Sequence, residues 1–410
     1  MKGLHSLEAV ITIFIKFSYT YNLTEGLKPS KYIIKNTMKI AQVAPLFESV
    51  PPKYYGGTER VVSWLTEELV RQGHEVTLFA SGDSITRANL ISICGSSLRL
   101  DKQCVDRYAH HILLIEKVFQ LGHNFDIIHS HIDYLPYPLI RRHQNFTVLT
   151  TLHGRLDIPD LQPLYKEFHD TAVVSVSQSQ RKPLPDICWA GTVYHGLPGD
   201  LFQYHDQPGT YLAFLGRISP EKRVDTAIKI AKRVKMPLKI AAKVDKVDEE
   251  YFQEFIHPLL NDPLIEYIGE IGDAAKNEFL GNAFALLFPV DWPEPFGLVM
   301  IEAMACGTPI IAIRNGSVPE VVDHGVTGFI VENVEQAVRA VEQVPFLSRK
   351  RCREIFEERF TSKRMTADYL QIYQKLLKKK AIQTIEDKSI EQCQTDQRYL
   401  PNKSGFFSIR

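Results

Sequence analysis

The sequence lacks a charge imbalance, and this absence excludes the binding classes that depend on a strong overall field. Lysine and arginine together number 48, aspartate and glutamate also number 48, and the formal net charge is zero. Attraction to nucleic acid or to a membrane through the whole surface needs a clear excess of positive charge. We therefore expect no nucleic-acid partner and at most peripheral membrane contact. Any anionic ligand must be held by a local group of cations.

Cysteines are few, and none forms a Cys-x-x-Cys pair. The six stand apart from one another, at positions 94, 104, 188, 306, 352 and 393. This pattern argues against a zinc site and against a disulfide framework, and it is typical of a protein from a reducing compartment. We expect a cytoplasmic location.

The N-terminal region has no apolar run long enough to cross a membrane. Its apolar run, residues 9–15, is too short to span a bilayer, and no small-residue cleavage site follows it. We expect residues 1–37 to be an N-terminal extension outside the fold, or the result of a start assigned too far upstream. A weak membrane anchor is the less favoured interpretation. Residues 381–410 are polar without sustained periodicity, and we expect a disordered tail.

What the sequence does contain is a repeated alternation of strands and helices. The chain has 410 residues, 44% of them hydrophobic, which suits two domains with sizeable cores. The first unit is a strand from Lys39, a turn at Gly56 and Gly57, an amphipathic helix over residues 58–71 and a strand over residues 75–80. This order predicts a doubly wound α/β fold.

Two features of the first half are candidates for ligand contact. Gly56 and Gly57 let the backbone approach a ligand closely, and the helix that follows them favours an anion; a plain tight turn is an equally weighted interpretation. His153 ends an apolar strand and precedes a glycine, which favours a functional role. His129 and His131 could form a metal pair, but without a third ligand a hydrogen-bonded strand end is favoured.

A stretch rich in glycine and proline, residues 189–210, predicts the linker between the two domains. A second alternating unit begins with a strand at Tyr211. Ser219 and Pro220 then predict the start of a helix that runs to about residue 234. Lys222 would lie in its first turn, where a cation opposes the helix dipole, with Arg217 just before it. We interpret the two cations as a diphosphate site; ordinary surface charge paired with Glu221 is the alternative.

The most specific motif holds two glutamates. Glu294 lies between two prolines on a rigid loop. Glu302 lies inside an almost wholly apolar helix, where a carboxylate is costly unless something pairs with it. A helix-start acid and a structural glutamate are the alternative. With two domains forming a cleft, we expect the glycine turn and His153 on one wall and the acids and cations on the other.

These motifs together resemble the retaining glycosyltransferases of family four, which share the two-domain GT-B fold. The resemblance covers about residues 38–380. Its strongest element is the pair Glu294 and Glu302, set in Glu-Pro-Phe-Gly and Glu-Ala-Met-Ala-Cys-Gly-Thr-Pro. It implies a Rossmann-like acceptor-side domain at residues 38–200, a nucleotide-sugar-binding domain at residues 201–361, and a helix at residues 362–380 that crosses back to the first domain.

The resemblance also implies a role for each matched residue. Arg217 and Lys222 would hold the donor pyrophosphate and stabilise the departing nucleoside diphosphate. Glu302 would accept hydrogen bonds from the ribose, Glu294 would bind sugar hydroxyls, and His153 would lie near the anomeric carbon and the acceptor. Further donor contacts are implied at Gly56, Gly57, Gly269, Ile271, Phe296, Gly297 and Leu298.

For the reaction, the resemblance implies retention of the anomeric configuration with no cofactor and no essential metal. The absence of an Asp-x-Asp motif from the relevant loops agrees with this. Front-face substitution is favoured over Glu294 as a nucleophile. We expect a UDP-hexose donor such as UDP-glucose and a hydroxyl acceptor on a polysaccharide, lipid or small molecule, in carbohydrate biosynthesis. The alternatives are a non-catalytic nucleotide-sugar or glycan-binding protein and a sugar-nucleotide epimerase on the same fold.

Overall fold

A computed structural model describes residues 37–398, with side chains described through residue 385. The expectations for residues 1–36 and 399–410 lie outside these described residues. The first lobe is built on a seven-stranded sheet. Its strands are β1 Lys39–Val43, β2 Glu75–Ala80, β3 Asn89–Ser92, β4 Ile127–Ser130, β5 Val148–Thr151, β6 Val173–Ser175 and β7 Trp189–Thr192.

The strands of the first lobe are all parallel and follow the order β3-β2-β1-β4-β5-β6-β7. The helices between them are α1 Gly57–Arg71, α2 Arg107–Gln120, α3 Tyr137–Arg142, α4 Leu161–Glu167 and α5 Gln178–Arg181. In α1, Val61, Leu65 and Leu69 recur at helical spacing and are fully buried. This apolar stripe holds the helix against the sheet.

The second lobe is built on a six-stranded parallel sheet in the order β10-β9-β8-β11-β12-β13. Its strands are β8 Tyr211–Ile218, β9 Leu238–Val244, β10 Ile265–Gly269, β11 Ala283–Phe288, β12 Ile310–Ile313 and β13 Gly328–Val331. Its helices are α6 Val224–Val234, α7 Glu249–Tyr251, α8 Asp273–Gly281, α9 Leu298–Ala305, α10 Val318–Val321, α11 Val334–Gln343 and α12 Arg349–Arg359. The two sheets confirm the predicted α/β class with two doubly wound domains.

Each sheet has a switch point beside its first strand. β1 lies between β2 and β4, and β8 lies between β9 and β11. Ligands of doubly wound sheets bind outside the carboxyl ends of the strands at such a point. Gly56 follows β1, Arg217 lies at the end of β8, and Glu294 follows β11, so the topology brings these residues to the two switch points.

The last helix, α13 Ser362–Arg398, returns to the first lobe. The guanidinium of Arg364 donates to the backbone oxygens of Tyr194 and His195, at 2.8 Å each. Tyr369 and Tyr373 are fully buried there. The helix therefore packs into the first lobe instead of lying on its surface. Among residues 37–398, no helix is both long and apolar enough to cross a membrane.

The structure differs from the sequence prediction in the linker and in the last helix. Residues 189–192, predicted as the start of the linker, form β7. Gly191 is a packing residue there, because a Cβ on it would lie 2.9 Å from Ile372 Cδ1 on α13. The helix α13 also continues past the predicted end at Lys380, so that residues 381–398, predicted as a tail, are helical.

The helix predicted to start at Pro220 is interrupted. Pro220–Lys222 form a short 3-10 turn, Arg223 is left-handed with φ 56°, and α6 begins only at Val224. The Ser219 side chain makes no capping hydrogen bond. Lys222 therefore does not lie in the first turn of α6, and the predicted conflict with that helix dipole is wrong. The position of the Lys222 side chain is set instead by its acidic partner, Glu294.

Candidate active site

A cavity of about 590 Å³ lies between the two lobes. The first lobe lines it with the loop after β1, the start of α1 and the segment after β5. The second lobe lines it with the ends of β8, β9 and β11, the loop after β10 and the start of α9. The volume lies within the range of about 300–1,000 Å³ that is usual for small-molecule sites.

Glu294 is held in this cavity by two side chains of its own lobe. The Trp292 indole donates to Glu294 Oε2 at 2.7 Å, and the Lys222 ammonium donates to the same oxygen. The side chains of Lys222 and Glu294 are only 15% and 11% exposed. Within the described residues, Glu294 Oε1 has no hydrogen-bond partner. One carboxylate oxygen is therefore fixed by the protein, and the other is available to a ligand.

Two glycines shape the loop that carries Glu294. Gly316 has φ 52°, and a Cβ on it would overlap with the backbone nitrogen and oxygen of Glu294. The Ser317 amide donates to Glu294 O at 3.0 Å. Gly297, with φ 81°, precedes the first residue of α9. Only glycine adopts such angles at low cost, so both positions fix where the Glu294 backbone lies.

Arg217 lies among carboxylates at the end of β8. Its Nη2 donates to Glu221 at 2.5 Å, while Asp245 and Asp248 lie 3.7 Å from Nη1 and 3.6 Å from Nε. Glu221 is thus the partner that the alternative interpretation of the sequence named. Arg217 also lines the cavity. A diphosphate bound there would compete with these acids for the guanidinium.

Glu302 is buried in α9, with 3% of the residue exposed. Its Oε1 accepts from the Lys276 ammonium at 2.8 Å. Lys276 also lies 3.5 Å from Asp273, which pairs with Arg60 of the first lobe. The buried carboxylate therefore has the partner that burial demands. Lys276 was not predicted from the sequence, because its partner lies 26 positions away and leaves no local pattern.

A second contact between the lobes lies near the Arg60 pair. The Tyr55 amide donates to Glu270 Oε1 at 2.8 Å, and Arg60 Nη2 donates to Tyr54 O at 2.6 Å. The Arg60 side chain is only 4% exposed. These bonds hold the loop before Gly56 and Gly57 against the second lobe, so the glycine turn faces the cavity across from α9.

His153 lines the first-lobe wall, and burial lowers its pKa to about 3. Its Nε2 lies 2.9 Å from His131 Nδ1, and the His195 ring stacks on it with centroids 5.3 Å apart. His129 is bonded to Thr151 and to α13. The structure thus has His129 and His131 as hydrogen-bonded core residues, and no metal-binding cluster exists in the part of the chain that it describes.

The cavity brings together all but one of the site residues predicted from sequence. Those that line it are Gly56, Gly57, His153, Arg217, Lys222, Ile271, Glu294, Phe296, Gly297, Leu298 and Glu302. Gly269 does not line the cavity. With φ 77°, it turns the chain after β10 so that Glu270 and Ile271 face the cavity instead.

Other lining residues escaped the sequence analysis. His195 follows β7 in the predicted linker, and Glu59 lies in the first turn of α1. Burial raises the pKa of the Glu59 carboxyl to about 7. Arg99 pairs with Glu48 at the same wall. Glu59 lies two residues after Gly57, and this position near the glycine turn was the signal available in the sequence.

Two family models match the chain, one on each lobe. The model described as Glycosyltransferase Family 4 matches residues 55–187, and the model described as Glycosyl transferases group 1 matches residues 203–359. The gap between the two matches contains β7 and the segment that leads to β8.

Among curated proteins, the chain is similar to N-acetyl-alpha-D-glucosaminyl L-malate synthase of Bacillus anthracis. The two are 27% identical over 372 residues, which cover 79% of this chain and 95% of that protein. It is also similar to D-inositol 3-phosphate glycosyltransferase of Mycobacterium leprae, with 33% identity over 166 residues, or 37% of this chain and 35% of that protein.

Among solved structures, sucrose-phosphate synthase from Thermosynechococcus elongatus aligns with a TM-score of 0.69 at 19% identity, covering 83% of this chain and 99% of that chain. Anabaena HepE in complex with UDP and glucose aligns with a TM-score of 0.64 at 16% identity, covering 82% and 98%. At these identities the likeness concerns the fold, and it confirms the GT-B architecture.

Proposed function

Because the chain belongs to the glycosyltransferases of group 1 and family 4, we propose that it moves a hexose from a nucleoside-diphosphate sugar to an acceptor hydroxyl with retention. The observation that carries this proposal is one cavity that holds the Lys222–Glu294 pair, Arg217 and the buried Glu302 together. These groups match the diphosphate, sugar and ribose of such a donor in both charge and hydrogen-bonding capacity.

The donor binds along the second-lobe wall. Glu302 Oε2, which has no hydrogen-bond partner in the described part of the chain, accepts from a ribose hydroxyl. Glu294 Oε1 accepts from hydroxyls of the sugar. Backbone amides at the start of α9 (Phe296, Gly297 and Leu298) donate to the phosphates, as helix N-termini commonly do.

The transfer is a front-face substitution. The acceptor oxygen forms a bond to the anomeric carbon on the side from which the diphosphate departs, and the bond between that carbon and the phosphate oxygen breaks. The departing phosphate oxygen takes the proton of the acceptor hydroxyl. Lys222 and Arg217 stabilise the charge that develops on the diphosphate. Glu294 holds the sugar and forms no covalent bond to it.

We propose further that the reaction needs no metal and no other cofactor; the two cations that line the cavity, Lys222 and Arg217, support this proposal. UDP-glucose is the favoured donor; the similar fold of HepE, solved with UDP and glucose, supports it. The acceptor binds on the first-lobe wall. The names of two relatives, N-acetyl-alpha-D-glucosaminyl L-malate synthase and D-inositol 3-phosphate glycosyltransferase, support a hydroxyl acceptor, which we propose to be a small molecule, a lipid or a polysaccharide.

The test is a panel of nucleotide sugars, with and without EDTA, assayed for release of nucleoside diphosphate and for donor-dependent thermal shift. We expect one UDP-hexose to be turned over and EDTA to have no effect. Glu294→Gln and Arg217→Ala should each lose most activity, while Glu335→Gln, at an exposed ion pair with Arg233, should keep it. No turnover and no thermal shift with any donor would refute the transferase proposal. Full activity in both site variants would refute the residue assignment.

A further inference from the structure

His153 is the end of a hydrogen-bonded chain that begins on the closing helix α13. Tyr373 Oη of that helix lies 3.3 Å from Gln42 Nε2 and 2.7 Å from His129 Nδ1. Gln42 Oε1 lies 2.8 Å from His131 Nε2, and His131 Nδ1 lies 2.9 Å from His153 Nε2. Gln42, His129 and Tyr373 have no exposed surface, and His131 is 2% exposed.

The second branch of the chain runs away from the cavity. His129 Nε2 lies 2.7 Å from Thr151 Oγ1, which in turn lies 3.0 Å from Tyr369 Oη. Thr151 and Tyr369 are also fully buried. Since water does not reach these atoms, every donor in the network must find its acceptor within it.

Burial keeps the imidazoles neutral and lowers the pKa of His129, His131 and His153. A neutral imidazole has one N–H donor and one lone-pair acceptor. The amide oxygen of Gln42 only accepts, so His131 Nε2 carries the hydrogen and His131 Nδ1 accepts. His153 must then donate from Nε2. By the same logic Tyr373 donates to His129 Nδ1, and His129 donates from Nε2 to Thr151.

We propose that Gln42 and His131 are positioning residues that fix His153 as the Nε2–H tautomer and present its Nδ1 lone pair to the cavity. Across the described residues, His153 Nδ1 has no hydrogen-bond partner, and His153 lines the cavity. His153 is thus an acceptor of a hydrogen bond from a substrate hydroxyl and not a proton donor. This last step rests on the proposed function; the tautomer itself does not.

The network has one other self-consistent arrangement, in which the Gln42 amide is turned over. Gln42 would then donate to His131, His131 would donate to His153, and His153 would present Nδ1–H to the cavity. The two arrangements place opposite hydrogen-bonding groups at the same point. The structure has the first arrangement, in which Gln42 Nε2 faces Tyr373 Oη and Gln42 Oε1 faces His131 Nε2. Tyr373 on the closing helix therefore holds the amide that orients a first-lobe histidine.

The direct test is nitrogen NMR of the ¹⁵N-histidine-labelled full chain without substrate, with His153 assigned by its loss in His153→Gln. We expect the Nε2–H tautomer for His129, His131 and His153. An Nδ1–H tautomer at His153 would overturn the proposal. This readout needs no activity, so a correct tautomer in a protein that turns over no donor would refute the proposed function and leave the positioning inference standing.

Two tyrosines on α13 provide a matched pair for kinetics. Tyr373→Phe removes the hydroxyl that accepts from the Gln42 amide, so the amide is no longer held on that side, and we expect kcat to fall about 10- to 100-fold with little change in the donor KM. We take that range from metal-bound histidines, where loss of the hydrogen-bond partner behind the ring has this effect. Tyr369→Phe is equally buried and conservative but lies on the other branch, so kcat and the His153 tautomer should stay unchanged. Equal losses of kcat in both variants would overturn the proposal.

Gln42 allows a rescue test. Gln42→Leu removes the acceptor for His131, and we expect a mixture of His153 tautomers and a lower kcat. In Gln42→Glu, burial keeps the carboxyl protonated, so it still accepts from His131 and donates to Tyr373. We expect the Nε2–H tautomer and most of kcat to be retained. A single unchanged tautomer in Gln42→Leu would contradict the positioning role.

Discussion

The two walls of the cavity hold their polar groups in different ways. The second-lobe wall uses salt bridges: Lys222 with Glu294, and Lys276 with Glu302. The first-lobe wall presents His153, a neutral group at the end of a hydrogen-bonded chain. Charge acts over distance and suits a diphosphate, whereas a neutral imidazole acts only on an atom in direct contact. Under the proposed function, this difference assigns the leaving group to the second lobe and the reacting hydroxyls to the first.

The largest effect is expected from removing the Lys222 ammonium from the second-lobe wall. Lys222→Ala should lower kcat/KM for the donor by about 10²–10³, since it removes a donor aimed at developing charge. The measurement is nucleoside-diphosphate release at several donor concentrations. Lys229→Ala, at an exposed position on α6, is the control and should change little. An unaltered kcat in Lys222→Ala would contradict a catalytic role for Lys222.

The next effect concerns the buried acid. Glu302→Ala leaves Lys276 with only its longer contact to Asp273, and the free energy of unfolding should fall by up to about 3 kcal/mol. Urea unfolding and nucleotide binding measure the two consequences. Glu335→Ala breaks an exposed pair with Arg233 and should stay within about 0.5 kcal/mol of the parent. Equal losses of unfolding free energy in the two variants would mean that the buried Lys276–Glu302 pair contributes no more than the exposed Arg233–Glu335 pair.

A smaller effect separates backbone strain from displacement of the site. Gly316→Ala should cost about 1–3 kcal/mol for its left-handed backbone. It should also lower activity, since the new Cβ overlaps with the Glu294 backbone. Gly325 has φ 78° with open space around it, so Gly325→Ala should share the strain but keep full activity. Thermal unfolding and donor turnover, measured on both variants, test this. Equal activity in the two would contradict the role of Gly316.

The smallest effect is the pH dependence of stability that His153, on the first-lobe wall, should produce. The folded pKa of His153 is about 3, below the unfolded value of about 6.5. Its neutral form therefore stabilises the fold fully above pH 6.5, and this stability is lost as pH falls from there towards 3. Between pH 7.5 and 6 the difference in unfolding free energy between the parent and His153→Gln should change by less than about 1 kcal/mol. Below pH 6 the parent should lose stability faster. Urea midpoints across pH 5–8 measure this, and parallel curves would contradict a neutral His153.

Much of the second-lobe wall could be predicted from the sequence. Glu294, between two prolines, and Glu302, inside an apolar helix, are unusual in their local surroundings, and both line the cavity. Arg217 and Lys222 were also found by position. Their partners were harder: Lys276 and Asp273 lie on α8, whose sequence is that of an ordinary polar helix. Ion pairs between segments that are far apart in the sequence produce no pattern in the spacing of residues.

The first-lobe wall could be predicted only in outline. His153 was identified because it ends an apolar strand before a glycine. His195 was missed because it follows β7, and the glycines and prolines of residues 189–210 led us to predict a linker there. Gly269 was predicted as a donor contact, but it does not line the cavity; it forms the turn that places Ile271 along the cavity. Side-chain direction at a turn depends on backbone angles that a pattern of residue types does not specify.

The sequence alone determined the alternation of strands and helices, the two lobes, and the residues at the ends of β5, β8 and β11, because hydrophobic periodicity and turn chemistry act between near neighbours. Tertiary structure decided which charges pair and what His153 offers to a ligand. The bond between Gln42 and Tyr373 joins residues 331 positions apart. Its direction exists only once α13 has closed onto the first lobe and water has been excluded from the network.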